Sequence, residues 1–100
     1  MGKKLLNELK EFAKEINVDS MYLFGSRAWG KAKKDSDVDL LLVSDRFKGV
    51  RRLRRSPALH LKWDLKYPVD FICLTSNEFK EKKNQIGVIQ EAVKKGIKIL

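Results

Sequence analysis

The chain has 100 residues, 43% of them hydrophobic, and a formal net charge of +9, which suits a single small folded domain, residues 1–100, and excludes a disordered polymer. Its apolar runs fall far short of the roughly 20 residues a membrane span needs. The start of the chain leads into a charged amphipathic segment, not a signal-peptide core, and Cys73 is the only cysteine, so a reduced, cytoplasmic setting without membrane association is expected. In chain order, Leu5, Leu6, Leu9, Phe12, Ala13 and Ile16 recur at helical spacing and predict an amphipathic helix over Lys3–Ile16. Residues 21–24 form a short apolar run that reads as a buried strand, broken by Gly25 and Ser26. Ser26 is placed to cap a brief helical turn through Ala28 and Trp29 that ends at Gly30, and residues 31–36 read as a polar loop.

Val38–Val43 is a strongly apolar strand, as expected of one covered on both faces. Residues 45–67 give an imperfect helical pattern interrupted by Pro57, part helix and part loop. Val69–Leu74 reads as a strand with Asp70 near its start and Cys73 in the core, and Thr75-Ser76-Asn77-Glu78 fits a capping box that opens a helix. Residues 85–95 read as a further helix with Ile86, Ile89, Ala92 and Val93 inward, stopped by Gly96 before an edge strand at 97–100. The order predicts an α+β domain with a small mixed β-sheet and helices packed on it.

The charge is unevenly spread. Between residues 46 and 66 stand Arg46, Lys48, Arg51, Arg52, Arg54, Arg55, Lys62 and Lys66, against Asp64 alone. Such a segment favours polyanions: nucleotide phosphates, RNA or an acidic protein partner. Four arginines in the five positions 51–55 exceed what solubility requires, and arginine suits bidentate phosphate contacts.

The pattern with most chemical content is Asp37-Val38-Asp39, at the mouth of an apolar strand and a fixed distance after Gly25-Ser26. Residues i and i+2 of a strand leave the same face. Two carboxylates there, beside a turn with free backbone N–H groups, can hold a divalent metal and a polyphosphate together. Asp70 enters a later strand at a comparable position, so three carboxylates converge if the strands are neighbours. Trp29 is expected to pack and not to stack on a base, and His60 to be structural or exposed.

Gly25-Ser26, ten residues, then Asp37-Val38-Asp39 resembles the nucleotidyltransferase signature of the DNA polymerase β superfamily. The fuller string from Gly25 to Gly30 with Ser36-Asp37-Val38-Asp39-Leu40 is similar to its minimal nucleotidyltransferase (MNT) branch. The resemblance is closest over residues 21–43 and extends more weakly to Asp70. It implies a polymerase-β-type nucleotidyltransferase fold, with Asp37, Asp39 and Asp70 as catalytic, metal-holding carboxylates. Two Mg²⁺ ions would be the cofactors and ATP the substrate. Gly25 and Ser26 would bind the nucleotide, joined by Arg27 unless it is a helix-end residue paired with an acid. Members of this size pair with HEPN-domain ribonucleases, so the resemblance implies an antitoxin that transfers AMP from ATP onto a tyrosine of a HEPN toxin. Two other readings accompany it: a non-catalytic antitoxin or adaptor that acts by direct contact, and an RNA-binding module built on residues 46–66. Larger superfamily members add a second domain that grips the base or acceptor. One hundred residues leave no room for it, so the acceptor is expected to come from a partner.

Overall fold

The computed structural model describes residues 3–30, 32–33 and 36–100. Lys31, Lys34 and Asp35 of the expected polar loop lie outside the described residues, as do Met1 and Gly2. The first helix, α1, has the expected bounds, Lys3–Ile16, and buries Leu5, Leu9, Phe12, Ala13 and Ile16 along one stripe. Asn17 closes it with a φ of 55°, a left-handed conformation that asparagine tolerates better than most side chains. The chain then enters β1, Ser20–Phe24, whose residues alternate in burial, and a single helical turn, α2, at Ser26–Trp29.

Strand β2, Val38–Val43, is buried at every position except Asp39. The connection to β3, Val69–Leu74, contains a 3-10 turn at Asp45–Phe47 and the short helices α3, Arg52–Arg55, and α4, Pro57–Lys62. Pro57 occupies the first turn of α4, where its missing N–H costs nothing, and it separates the two helices. Helices α5, Ser76–Lys82, and α6, Val88–Lys95, follow, and β4 is Ile97–Lys98. The sheet runs β3-β2-β1-β4. β1 is antiparallel to both β2 and β4, while β2 and β3 are parallel, so the sheet is mixed and the class is α+β.

Each strand alternates its side chains between two cores. Met21, Leu23, Leu40, Leu42, Phe71 and Cys73 pack against α1 on one face. Leu41, Leu74, Tyr22, Phe24 and Ile72 pack with Ala92, Ile89 and Phe79 of α5 and α6 on the other. Coverage of both faces explains why β2 reads as an almost unbroken apolar run. Burial also pushes the Cys73 thiol up to about 11, which makes it an inert core group.

The α5 capping box is formed as expected: the Thr75 hydroxyl accepts from Glu78 N, and the Glu78 carboxylate accepts from Thr75 N. Helix α6 starts three residues later than periodicity suggests. Gly87 precedes it with a φ of 148°, and that turn swings Ile86, expected to face inward, out to 97% exposure. Gly96 ends the helix where no side chain fits: a Cβ there would lie 2.2 Å from the Ala92 carbonyl oxygen and 2.6 Å from that of Leu23. This close approach lets α6 sit on β1 and turn directly into β4. Beyond the β4 ladder, Ile99 N and Leu100 N both donate to Met21 O. Among the described residues no helix is long and apolar enough to cross a membrane.

Arg55 departs from the polyanion reading. It is buried, its Nε donates to Val50 O at 2.8 Å and its Nη1 to Cys73 O at 3.0 Å, and its guanidinium pairs with Glu78 at 2.5 Å. It ties the crossover to β3 and α5 and is not available to a ligand. Arg51, Arg52 and Arg54 remain exposed.

Candidate active site

Strand register brings the expected carboxylates to one end of the sheet. Asp39 is the second residue of β2 and Asp70 the second of β3, and the parallel ladder pairs them directly. On its other side Asp39 pairs with Phe24, the last residue of β1. Asp37 stands two residues before Asp39, just ahead of β2. By strand alternation Asp39 shares the face of Leu41, and Asp70 that of Ile72 and Leu74, which is the α5–α6 face. Asp37 and Asp70 are exposed and Asp39 is half-buried.

The turn after β1 is shaped by this carboxylate. Gly25 has a φ of 77°, and a Cβ built on it would lie 2.2 Å from Asp39 Oδ2. Only glycine allows both the left-handed backbone and the close approach. Gly25, not Ser26 as expected, is the N-cap of α2, and its carbonyl accepts from Ala28 N and Trp29 N. The cap residue must adopt the non-helical backbone, and here that position is also the one pressed against Asp39. Ser26 is thus the first residue of the turn, with its N–H among those that a helix leaves without an internal partner. Gly30 ends α2 in the left-handed region, as expected.

Burial raises the Asp39 pKa above the ordinary carboxylate value, and the charges of Asp70 and then Asp37 push it the same way. Among the described residues none of the three carboxylates has a lysine or arginine within ion-pairing distance. The edge gathers carboxylate oxygens, the donor set of a hard divalent cation such as Mg²⁺. Among the described residues no three His, Cys, Asp or Glu side chains are already gathered as a cation cage. The residues fit a divalent ion that draws them together.

Arg27 is already engaged within the protein. Its Nε donates to Ser36 O at 2.9 Å, and its guanidinium carbon lies 4.5 Å from the centroid of the Tyr67 ring. Trp29, expected to pack, is 42% exposed; α2 is a single turn and touches the core mainly through Ala28. His60 is exposed, with its ring edge-on to Phe71 at 4.9 Å. The Tyr67 contact was not legible in sequence, since forty positions separate it from Arg27. A cleft of about 480 Å³ lined by Glu15, Asp19, Ser44 and Asp45 lies at the opposite end of the sheet, away from the carboxylates.

Three comparisons bear on this geometry. The family model of the nucleotidyltransferase domain matches residues 3–99. A candidate nucleotidyltransferase of known crystal structure from Sulfolobus solfataricus superposes with a TM-score of 0.64 at 25% sequence identity, over 95% of this chain and 78% of that one. No curated protein matches the chain by sequence.

Proposed function

Because the chain belongs to the nucleotidyltransferase domain family, we propose that its carboxylate edge moves the AMP of ATP, with Mg²⁺, onto a hydroxyl of a partner protein. A HEPN ribonuclease toxin, modified on tyrosine, is the partner that the minimal-nucleotidyltransferase resemblance favours. The observation that carries the reading is the in-register pair Asp39–Asp70, with Asp39 Oδ2 against the Gly25 backbone. Bound divalent ions would supply charge neutralisation at the attacking and leaving oxygens.

The chain's own groups have separable tasks. Asp37, Asp39 and Asp70 hold the cations and set their place relative to the turn. Gly25 lets the triphosphate approach the backbone, and the Ser26 N–H and hydroxyl donate to a phosphate oxygen. Asp70, exposed at the mouth of β3, would help take the proton of the incoming hydroxyl. The hydroxyl oxygen bonds to the α-phosphorus, the bond to the bridging oxygen breaks, and pyrophosphate leaves with that electron pair.

Incubation with ATP labelled at the α-phosphate, Mg²⁺ and the co-purified partner tests the proposal. Label should appear on the partner with the wild-type chain and vanish with the Asp37→Asn, Asp39→Asn double variant. Equal labelling by that variant would sink the assigned roles.

A second reading, action by contact alone, is favoured by one surface. Leu53 and Leu61 are 90% and 89% exposed in the β2–β3 crossover that also carries the exposed Arg51, Arg52 and Arg54. If contact suffices, the same double variant neutralises the partner as well as wild type does.

A further inference from the structure

A guanidinium one residue after a phosphate-binding turn is expected to point at phosphate. Arg27 is instead committed to two segments that lead into the carboxylates. Its Nε donates to the carbonyl of Ser36, the residue before Asp37, at 2.9 Å. Its planar face lies over Tyr67, three residues before Asp70, at 4.5 Å from the ring centroid. Tyr67 is itself anchored to the core. Trp63 Nε1 donates to the Tyr67 carbonyl at 2.8 Å, and the Trp63 ring meets Phe12 and Phe71 edge-on at 5.0 and 5.9 Å. The two strand mouths are also joined by Val38 N donating to Pro68 O at 2.8 Å.

We infer that Arg27 is a positioning residue: stacked on Tyr67 and bonded to Ser36, it clamps the mouths of β2 and β3 so that Asp37, Asp39 and Asp70 face one cation. The inference rests on the nucleotidyl-transfer reading for its purpose and on geometry alone for the clamp. Carboxylates crowded at a strand end repel, and the mouth of a parallel pair frays first. A cross-tie there must satisfy a carbonyl and cover an aromatic face at once. Arginine does both with one planar group, whereas a lysine ammonium is a compact point charge. Metal ligands depend on such supports, and their loss typically weakens affinity by about 10- to 100-fold.

Two measurements on the full chain separate the clamp from a phosphate contact. The first is amide hydrogen exchange at Val38 relative to Leu41 in metal-free protein. The second is Mn²⁺ affinity without nucleotide, read by electron paramagnetic resonance. Arg27→Gln and Tyr67→Leu should each speed exchange at Val38 while Leu41 stays protected, and each should weaken Mn²⁺ binding by about tenfold. The double variant should lose little more than either single change, because both break one device. Tyr67→Phe should match wild type, and Arg27→Lys should behave like Arg27→Gln.

The inference is overturned if Arg27→Gln leaves Val38 exchange and Mn²⁺ affinity unchanged and raises only the KM for ATP, the result for a phosphate ligand. It is equally overturned if Tyr67→Leu matches wild type. Should Tyr67→Leu not fold, Arg27→Lys decides alone: retained Mn²⁺ affinity rejects the clamp and lost affinity supports it. If wild type binds no Mn²⁺ while Val38 still responds to both substitutions, the clamp stands and the nucleotidyl-transfer reading falls.

Discussion

Burial and the charges of Asp70 and Asp37 all push Asp39 toward its neutral form, so this side chain opposes folding at neutral pH unless a cation sits beside it. A carboxyl whose folded pKa is raised favours the folded state below its unfolded pKa, and that advantage is lost as pH rises through the folded value. The cost therefore grows as pH rises above the unfolded value of 3.8. Asp39→Asn should raise the Tm of the protein in chelator by a few degrees and remove any further rise on adding Mg²⁺. A differential scanning fluorimetry pair, with chelator and with Mg²⁺, reads both effects, and a lowered Tm in chelator would show that Asp39 is not under strain. Gly25→Ala makes the complementary case. It forces on alanine a positive-φ, extended-ψ backbone (φ 77°, ψ −162°) that is nearly confined to glycine, at about 1–3 kcal/mol, and its methyl group needs the space of Asp39 Oδ2. It should abolish label transfer while the chain still folds, which circular dichroism and the transfer assay together check.

At the scale of elements, the β2–β3 crossover is fastened by Arg55 and Glu78. The Arg55 hydrogen bonds hold the Glu78 carboxyl down to about 2, with help from Thr75. A depressed carboxyl contributes stability that is complete above its unfolded pKa of 4.5 and is lost as pH falls toward 2. Glu78→Gln should cost about 1–2 kcal/mol at pH 7, because Arg55 loses a charge-assisted partner that solvent partly screens while it keeps its bonds to Val50 O and Cys73 O. It should also flatten the pH dependence of unfolding between about 2 and 4.5, measured by urea titration across that range.

The elements differ in how far a linear sequence exposes them. α1, β2 and the α5 capping box rest on local spacing and local hydrogen bonds, and their places follow from the sequence. Ile86 misleads because its helical spacing continues past the true helix start, where Gly87 turns the chain. Arg55 reads as one more arginine in a basic run, since its partner Glu78 lies 23 positions away. The carboxylate edge was half legible: Asp37 and Asp39 follow from alternation, while Asp70 joins them only if two particular strands pair in one particular register.

For the molecule as a whole, the uneven charge becomes a surface once Arg55 is removed from it. Arg51, Arg52 and Arg54 stay in solvent with Leu53 and Leu61. Replacing those three arginines by glutamine should change Tm little, since exposed substitutions usually stay within about 0.5 kcal/mol. If the surface meets nucleic acid, the salt slope of binding to a single strand should fall by about 2, roughly 0.7 per lost contact. Filter binding of single-stranded RNA at several ionic strengths measures the slope, and an unchanged slope would turn the surface toward protein contact.

Among the described residues β3 is an outer strand, with β2 on one side and no strand on the other. The third carboxylate therefore rides on the part of the sheet with one hydrogen-bonded neighbour to lose. Opening of that strand would carry Asp70 away from Asp39 while β1, β2 and β4 stay paired. With the proposed site, label transfer measured in rising urea should therefore end before the helical circular dichroism signal does, and coincident loss of the two would show that β3 does not open first.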